Sequence, residues 1–578
     1  LSAGHAVSPS RLLKDFHKKP VVAVRRKSSL NILDMKYLRW QAAGLAASGR
    51  VGATRGERMA YDAIVVGAGI NGLAAALHLA AKGWKVAVVE RADVAGGAVK
   101  TREITLPGFR HDLYAMNLSL FAGSPFFAAH KDRLAAQGLA FVGAEQCFAT
   151  AFPDGGWLGV EQNIEATAGR IAALSPADAQ RWRAMVTAFG EDAPHIFALL
   201  GSPMPSLPAL RAVFAAWRAR GTAWVADTAR LLVASPREWL DENFESEKLK
   251  AMMAVWGMHL DFSPDCAGGA LFPYLESMAN QCFGMALGRG GADSIVTALV
   301  RAIAAEGGDV RLGTPVHSIA IEGGSAKGVV LRGGERIEAT RAVIANLHPR
   351  VLFGDLMPAS SPAAQRLAKL RPGPATMMIH LALNDLPAWI AGAELRRFAY
   401  VHLAPSFAAM AKTYTEALDG LLPAEPALVV GQPTAIDPSR APDGRHVLWV
   451  QVRVLPSRIR GDAAQSISGT DWDTVKDAYA DRVIGIIERY APGLTASILA
   501  RAVLSPADLE RDNPNLIGGD SLGGSHHLDQ NFIFRPAFGW SRYRAPIVRL
   551  YMVGASTWPG AGTGAGSGFM LAKALAGA

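Results

Sequence analysis

The segment YDAIVVGAGINGLAAALHLAAKGWKVAVVE, residues 61–90, constrains the fold more than any other part of the chain. A β-branched run passes through a glycine-rich turn into apolar residues at helical spacing, and a second β-branched run comes after. This order predicts a strand–helix–strand unit. Gly67, Gly69 and Gly72 in the turn follow the GxGxxG spacing. The first glycine permits the tight turn, the second lets backbone approach a pyrophosphate, and the third lets helix and strand pack closely. The helix N-terminus then offers N–H groups and a positive dipole end to the phosphates. Glu90, 18 residues after Gly72 and at the end of the second strand, can accept both hydroxyls of a ribose. A tight glycine turn without a ligand rarely reproduces all three features, so the segment is expected to bind a dinucleotide.

Downstream, residues from about 160 to 260 read as several helices, including RAVFAAWRARGTAWVADTARLLV, broken by the proline-rich GSPMPSLPAL. From residue 292 a helical stretch precedes three short strands, near VRLGTPVHSIAIE, AKGVVLRGG and ERIEATRAVIAN. Alternating strands come next, at TMMIHLAL and HVLWVQVRVL. DWDTVKDAYADRVIGIIERYAPG then has helical spacing, with acidic residues early and Gly493 after its end. The last strand, VRLYMVGAS, leads into a glycine-rich stretch and a short helix, which returns the chain to its first domain. The expected fold class is α/β: a discontinuous Rossmann-type nucleotide-binding domain, an antiparallel-sheet substrate domain and an inserted helical region. The nucleotide-binding domain is expected from 59–150, about 285–350 and 540–578, and the substrate and helical cap domain from about 151–284 and 351–539.

Charge is unevenly distributed. Residues 1–58 hold 12 Lys and Arg against 3 Asp and Glu, which accounts for the whole formal charge of +9. The remainder is balanced, so the basic pI is no argument for nucleic acid. The basic segment reads either as an organellar transit peptide or as a mobile extension upstream of a natural start at Met59, the second being favoured. Cys147, Cys266 and Cys282 form no CxxC pair, which argues against a disulfide framework, a zinc site or a dithiol centre. No metal site is expected. With no long uncharged apolar run and no secretory core, the expected location is cytoplasmic, with peripheral membrane contact open, or mitochondrial if residues 1–58 are a transit peptide.

The residues just after Glu90 bear on the choice of nucleotide. Arg91, then the pair Gly96-Gly97 in ERADVAGGAVKTRE, permits backbone contact with the diphosphate and ribityl region of FAD. The C-terminal GASTWPGAGTGAGSGFMLAKAL supplies a glycine-rich helix N-terminus suited to the N1/O2 edge of a flavin. Gly562 and Gly564 offer a second GxGxxG-like match, but too few residues remain for another strand–helix–strand unit. No Cys or His in this stretch could attach the ring, so FAD is expected to bind non-covalently.

These motifs resemble the phytoene desaturase superfamily of FAD-dependent oxidoreductases. The similarity is strongest to the branch holding pyridine nucleotide-disulfide oxidoreductase domain-containing protein 2 and the FAD-type carotenoid ketolases. It covers residues 61–578 and includes GGAVKTREITLPGF, LGRGGADSIVTALVRAIAAEGGDVRLGTPVHSI, GGDSLGGSHHLDQNFIFRP and VGASTWPGAG. The resemblance implies FAD contacts at Gly67, Gly69, Gly72, Glu90, Arg91, Gly97 and Ala98, a backbone contact at Val316, and Gly554, Gly562 and Thr563 beside the isoalloxazine. Ala98 stands where many relatives have Arg, and Trp558 stands where desaturases often have His before Pro-Gly.

Outside these motifs, Asp520, His526, His527, Gln530 and Arg535 form the densest polar cluster, interleaved with Phe532, Phe534 and Trp540. His526, Gln530 and Trp558 are the candidate catalytic residues, for proton transfer or substrate positioning. The same side chains can equally satisfy buried backbone and brace a loop. The helix around Trp217 and Trp224, with Arg211, Arg218 and Arg220, reads either as a membrane-resting surface or as an ordinary cap.

The expected activity is hydride removal from a lipophilic, isoprenoid or carotenoid-like small molecule, a desaturation or dehydrogenation, with oxygen or a quinone as electron acceptor. One rival is an amine-oxidase-like flavoenzyme oxidising a C–N bond. The other is a non-catalytic interaction protein stabilised by FAD.

Overall fold

Two seven-stranded sheets organise the chain. The computed structural model describes residues 60–357 and 366–577, and the reading of residues 1–58 lies outside them. The first sheet runs in the order Val316–Glu322, Ser325–Leu331, Arg336–Ala345, Ala60–Val66, Val86–Val89, Asp309–Arg311, with Leu550–Met552 also paired to Arg336–Ala345. Its nucleotide-facing half is parallel, with Ala63 opposite Val86, Ala87 opposite Asp309 and Val343 opposite Leu550. Ile64, Val66, Ala87, Val89 and Val343 belong to one apolar cluster, and Ala63, Val65, Val86 and Val88 to another. Parallel strands covered on both faces must be apolar on both, which is why these read as unbroken β-branched runs. The expected meander is the antiparallel trio at 316–345.

The second sheet runs Ile498–Leu504, Ala375–Leu383, His446–Leu455, Ala427–Gly431, Tyr400–Leu403, Gln146–Ala151, Trp157–Glu161. Its pairs are antiparallel except Tyr400–Leu403 with Gln146–Ala151, which is parallel. On one face Ile379, Leu381, Val401, Leu428, Leu448 and Val450 pack with Val475, Tyr479, Val483 and Ile487 of helix Trp472–Tyr490. That helix starts where the Asp471 side chain accepts the Asp473 N–H, and Gly493 lies in the left-handed region after its end (φ 89°). The opposite face has a different chemistry and is described with the site.

Between Ile164 and Phe283 six helices form the inserted region. The proline-rich patch separates helices Pro176–Leu200 and Leu207–Val233, and Gly221 (φ 83°) breaks the second. Among the described residues no helix is long and apolar enough to cross a membrane.

Candidate active site

The nucleotide turn has no room for side chains. A Cβ on Gly67 (φ 94°) would lie 2.9 Å from the Asn346 carbonyl oxygen, and one on Gly72 would lie 2.5 Å from the Gly67 carbonyl oxygen. On Gly69 it would meet Asn346 Nδ2 at 2.6 Å. Asn346 comes directly after strand Arg336–Ala345, and its side chain also donates to the Gly67 carbonyl at 3.3 Å. Glu90 fixes the far side: one carboxylate oxygen accepts the Ala68 N–H at 2.8 Å and the other accepts the Ala92 N–H at 2.9 Å. Each oxygen keeps a further lone pair for a ribose hydroxyl.

The remaining predicted contacts fall around this turn. Gly96 donates to the Ala68 carbonyl at 2.9 Å, and a Cβ on Gly97 would come within 3.2 Å of the Gly69 Cα. Thr314 donates to the Glu90 carbonyl at 2.7 Å, which brings Val316 and its strand alongside Glu90. Arg91 donates to the Asp512 carbonyl at 3.2 Å, and Ala98 packs on the main core.

The C-terminal glycine stretch meets the same turn. Gly554 donates to Ser567 Oγ at 2.9 Å, and that hydroxyl donates to Asn71 Oδ1 at 2.9 Å. A Cβ on Gly568 would lie 1.9 Å from the Asn71 carbonyl oxygen. The first turns of helices Ile70–Ala81 and Gly566–Ala576 therefore touch, and two positive dipole ends converge on one region. Asn71, Asn346 and Ser567, which hold these pieces together, carry no signal in the glycine spacing and were not anticipated from it. Gly562 (φ 124°) leaves only 2.8 Å between a Cβ and Leu120, and Thr563 Oγ1 reaches the Asn117 carbonyl at 3.5 Å. A close-approach cradle with an acceptor carboxylate and converging helix ends fits FAD, whose holding residues would be those named above.

His526, Gln530 and Trp558 occupy positions the protein already uses. His526 is buried, and its Nε2 accepts the Ala561 N–H at 3.1 Å. Burial and the nearby Arg535 charge hold it well below the ordinary imidazole range, so it is neutral. Gln530 accepts the Arg371 N–H at 3.0 Å. Trp558 donates to the Ser202 carbonyl at 2.8 Å and stacks on Phe532. Beside them the buried Arg535 donates to the carbonyls of Ala555, Ser525 and Leu522 at 2.8–3.0 Å. Asp520 accepts N–H groups from Gly373, Leu522 and Gly524. The cluster is built as a brace under the glycine stretch, and most of its polar atoms are spent inside it, although His526 Nδ1 is buried with no hydrogen-bond partner among the described residues.

A second polar cluster lies on the other face of the second sheet. Residues two apart on each strand share this face. They are Phe148 and Thr150, Tyr400 and His402, and Trp449, Gln451 and Arg453, with Tyr400 opposite Phe148 and His402 opposite Thr150. Helix Glu247–Met258 and the residue after it add Trp256 and His259. The His402 ring centroid lies 5.3 Å from those of both Trp256 and His259.

Within this cluster, His402, Trp256 Nε1, Trp449 Nε1, His259 Nε2, Arg453 Nε and Thr150 Oγ1 are buried with no hydrogen-bond partner among the described residues. Arg453 and nearby Glu276 keep accessible surface although their chain neighbours are buried, and we read the polar face around them as the wall of a chamber. Burial holds His402 at about 3 and raises Glu276 to about 7. It also lowers Arg453 to about 10, with Tyr400 acting in the opposite sense. Asn117, whose carbonyl meets Thr563, also lies beside Tyr400, so the chamber adjoins the glycine stretch. The signal was present in HVLWVQVRVL, where Trp, Gln and Arg alternate with aliphatic residues.

Fold and cradle together define a FAD-dependent oxidoreductase of mixed α/β architecture. Residues 70–492 match the flavin containing amine oxidoreductase family, and the chain belongs to it. Among relatives, rat pyridine nucleotide-disulfide oxidoreductase domain-containing protein 2 is 30% identical over 87% of this chain and 91% of its own. A limonene dehydrogenase polypeptide of Castellaniella defragrans is 27% identical, over 89% and 94%. A neurosporene-forming phytoene desaturase of Cereibacter sphaeroides is 25% identical, over 88% and 94%. Putrescine-bound putrescine oxidase shares the fold with a TM-score of 0.53 at 15% identity, over 90% of this chain and 98% of its own.

Proposed function

We propose that the enzyme removes a hydride from a C–H bond of a lipophilic, isoprenoid-like molecule, with a proton leaving the neighbouring atom. FAD, when bound, supplies the two-electron acceptor. The observation that carries this reading is the chamber wall of Phe148, Trp256, Tyr400 and Trp449 beside the C-terminal glycine stretch. Such a wall positions an apolar chain and excludes water. Relatives named for phytoene and limonene support the same substrate class. Glu276, a carboxyl raised to about 7 and without a hydrogen-bond partner among the described residues, is better poised than His526 to take the proton. Oxygen or a quinone would reoxidise the enzyme, since one dinucleotide turn is built among the described residues.

Anaerobic flavin bleaching tests the reading. Isoprenoid hydrocarbons, alcohols and acids are compared with amines, and the products are read by mass spectrometry for loss of two hydrogens. Bleaching by amines alone would establish the C–N reading instead, and bleaching by nothing would leave a non-catalytic flavoprotein.

We also propose that helix Leu207–Val233 rests on a membrane surface through which such a substrate arrives. Leu207, Leu210, Phe214 and Trp217 are exposed at helical spacing, with Arg211 and Arg218 beside them.

A further inference from the structure

The chamber holds more hydrogen-bond donors than the protein can use. An indole N–H only donates, and a guanidinium carries no acceptor. Trp256 Nε1, Trp449 Nε1 and Arg453 Nε are all buried without an acceptor among the described residues. Other buried or part-buried arginines show how this chain normally satisfies the group. Arg440 pairs with Asp112 and Asp437 and donates to the Gly288 carbonyl at 2.8 Å. Arg535 is wrapped by backbone carbonyls, and Arg482 pairs with Asp462. Arg453 has no such carboxylate among the described residues. A cation largely withdrawn from water without a counter-charge is costly, and a ligand that reaches its accessible surface would supply one.

The backbone beside it is strained as well. Val454 has φ 63°, a conformation that a β-branched residue rarely adopts. The pairing with Ala375–Leu383 shifts register at this point, between Met377 opposite Val452 and Ala375 opposite Leu455. Bulges of this kind re-aim a side chain and collect at functional sites.

We infer that Arg453 seats a carboxylate of the substrate, with the Trp256 and Trp449 N–H groups as further donors in the same wall. The substrate is then an apolar chain that ends in an acid. A single guanidinium matches the two oxygens of one carboxylate, whereas an ammonium would meet repulsion there. This inference rests on the oxidation reading for the identity of the ligand as substrate, and its test needs no turnover.

Citronellic acid, citronellol and citronellylamine share one isoprenoid chain and differ at the head group. Their binding to the FAD-loaded protein is measured anaerobically by flavin absorbance and calorimetry. The acid is expected to bind at least about tenfold more tightly than the alcohol, as a charge-assisted pair requires, and the amine most weakly. Arg453→Gln should erase the acid's advantage while leaving alcohol binding in place, and Arg453→Lys should keep part of it. Equal binding of acid and alcohol by the wild type overturns the inference, as does tightest binding of the amine. An acid preference that survives Arg453→Gln does the same. If that variant fails to fold, the wild-type comparison still decides, and Trp449→Phe, which removes only a donor, should weaken the acid selectively. Bleaching by citronellol without any acid preference would sink the carboxylate site alone. Acid preference without bleaching by any compound would sink the oxidation reading alone.

Discussion

At Gly568 one methyl group would collide with the backbone of the nucleotide turn, since its carbon would lie 1.9 Å from the Asn71 carbonyl oxygen. Backbone cannot swing aside as a side chain can, so Gly568→Ala should separate the two helix ends. We expect a loss of about 1–3 kcal/mol or more and a marked fall in FAD retained after purification. Unchanged flavin content and unchanged Tm would show that the two helix starts are not coupled. His526 makes a different kind of contact. His526→Ala strands the Ala561 N–H, at a cost of about 1–3 kcal/mol if that group stays buried. The pH dependence of turnover should keep its shape, because His526 is already neutral; a lost inflection would restore it as a proton carrier.

Glu276 is the residue whose titration should be visible. Its folded pKa of about 7 lies above the ordinary 4.5, so the neutral form is favoured in the fold. Its contribution to stability is fully present below pH 4.5 and is lost as pH rises through about 7. Glu276→Gln removes that loss. The variant should gain stability relative to wild type above about pH 7, by at most about 3 kcal/mol and by less where water reaches the chamber. If the carboxylate takes the substrate proton, wild-type turnover should rise through the same pH range and the variant's should not. Parallel Tm curves and identical rate profiles would remove Glu276 from the mechanism.

Among the elements, helix Leu207–Val233 is the one whose sequence and surroundings disagree most. Its apolar stripe points outward among the described residues, whereas helix Glu247–Met258 is buried through most of its length and lines the chamber. Ridges of Leu and aromatic side chains beside arginines suit the interface of an anionic bilayer. Trp217→Glu together with Phe214→Glu should abolish cosedimentation with phosphatidylserine-containing vesicles while FAD content and Tm stay close to wild type. Equal sedimentation of both proteins would return this helix to the role of a plain cap.

At the scale of the whole molecule, the chain passes back and forth between its two sheets, entering the second at residues 146–161, returning to the first at 309–345, completing the second at 375–504, and coming back at Leu550–Met552 to close the nucleotide turn with its last helix. The cradle was legible in the sequence because its decisive residues lie close together. Gly67, Gly69, Gly72 and Glu90 act within one strand–helix–strand unit, and glycine spacing reports directly on how near backbone must come to backbone. The alternation in HVLWVQVRVL likewise showed a strand with two unlike faces. Sequence could not say which strands stand beside it. The chamber draws on residues 148–150, 256–259, 400–402 and 449–453, brought together by pairings that span most of the chain. Whether His526 is a proton carrier or a brace, and whether Arg453 has a partner, depends on which atoms end up within about 3 Å, the hydrogen-bonding range. Local pattern therefore determined the cofactor framework and the order of its elements. Long-range packing alone decided which polar groups were consumed in holding the fold and which were left facing a ligand.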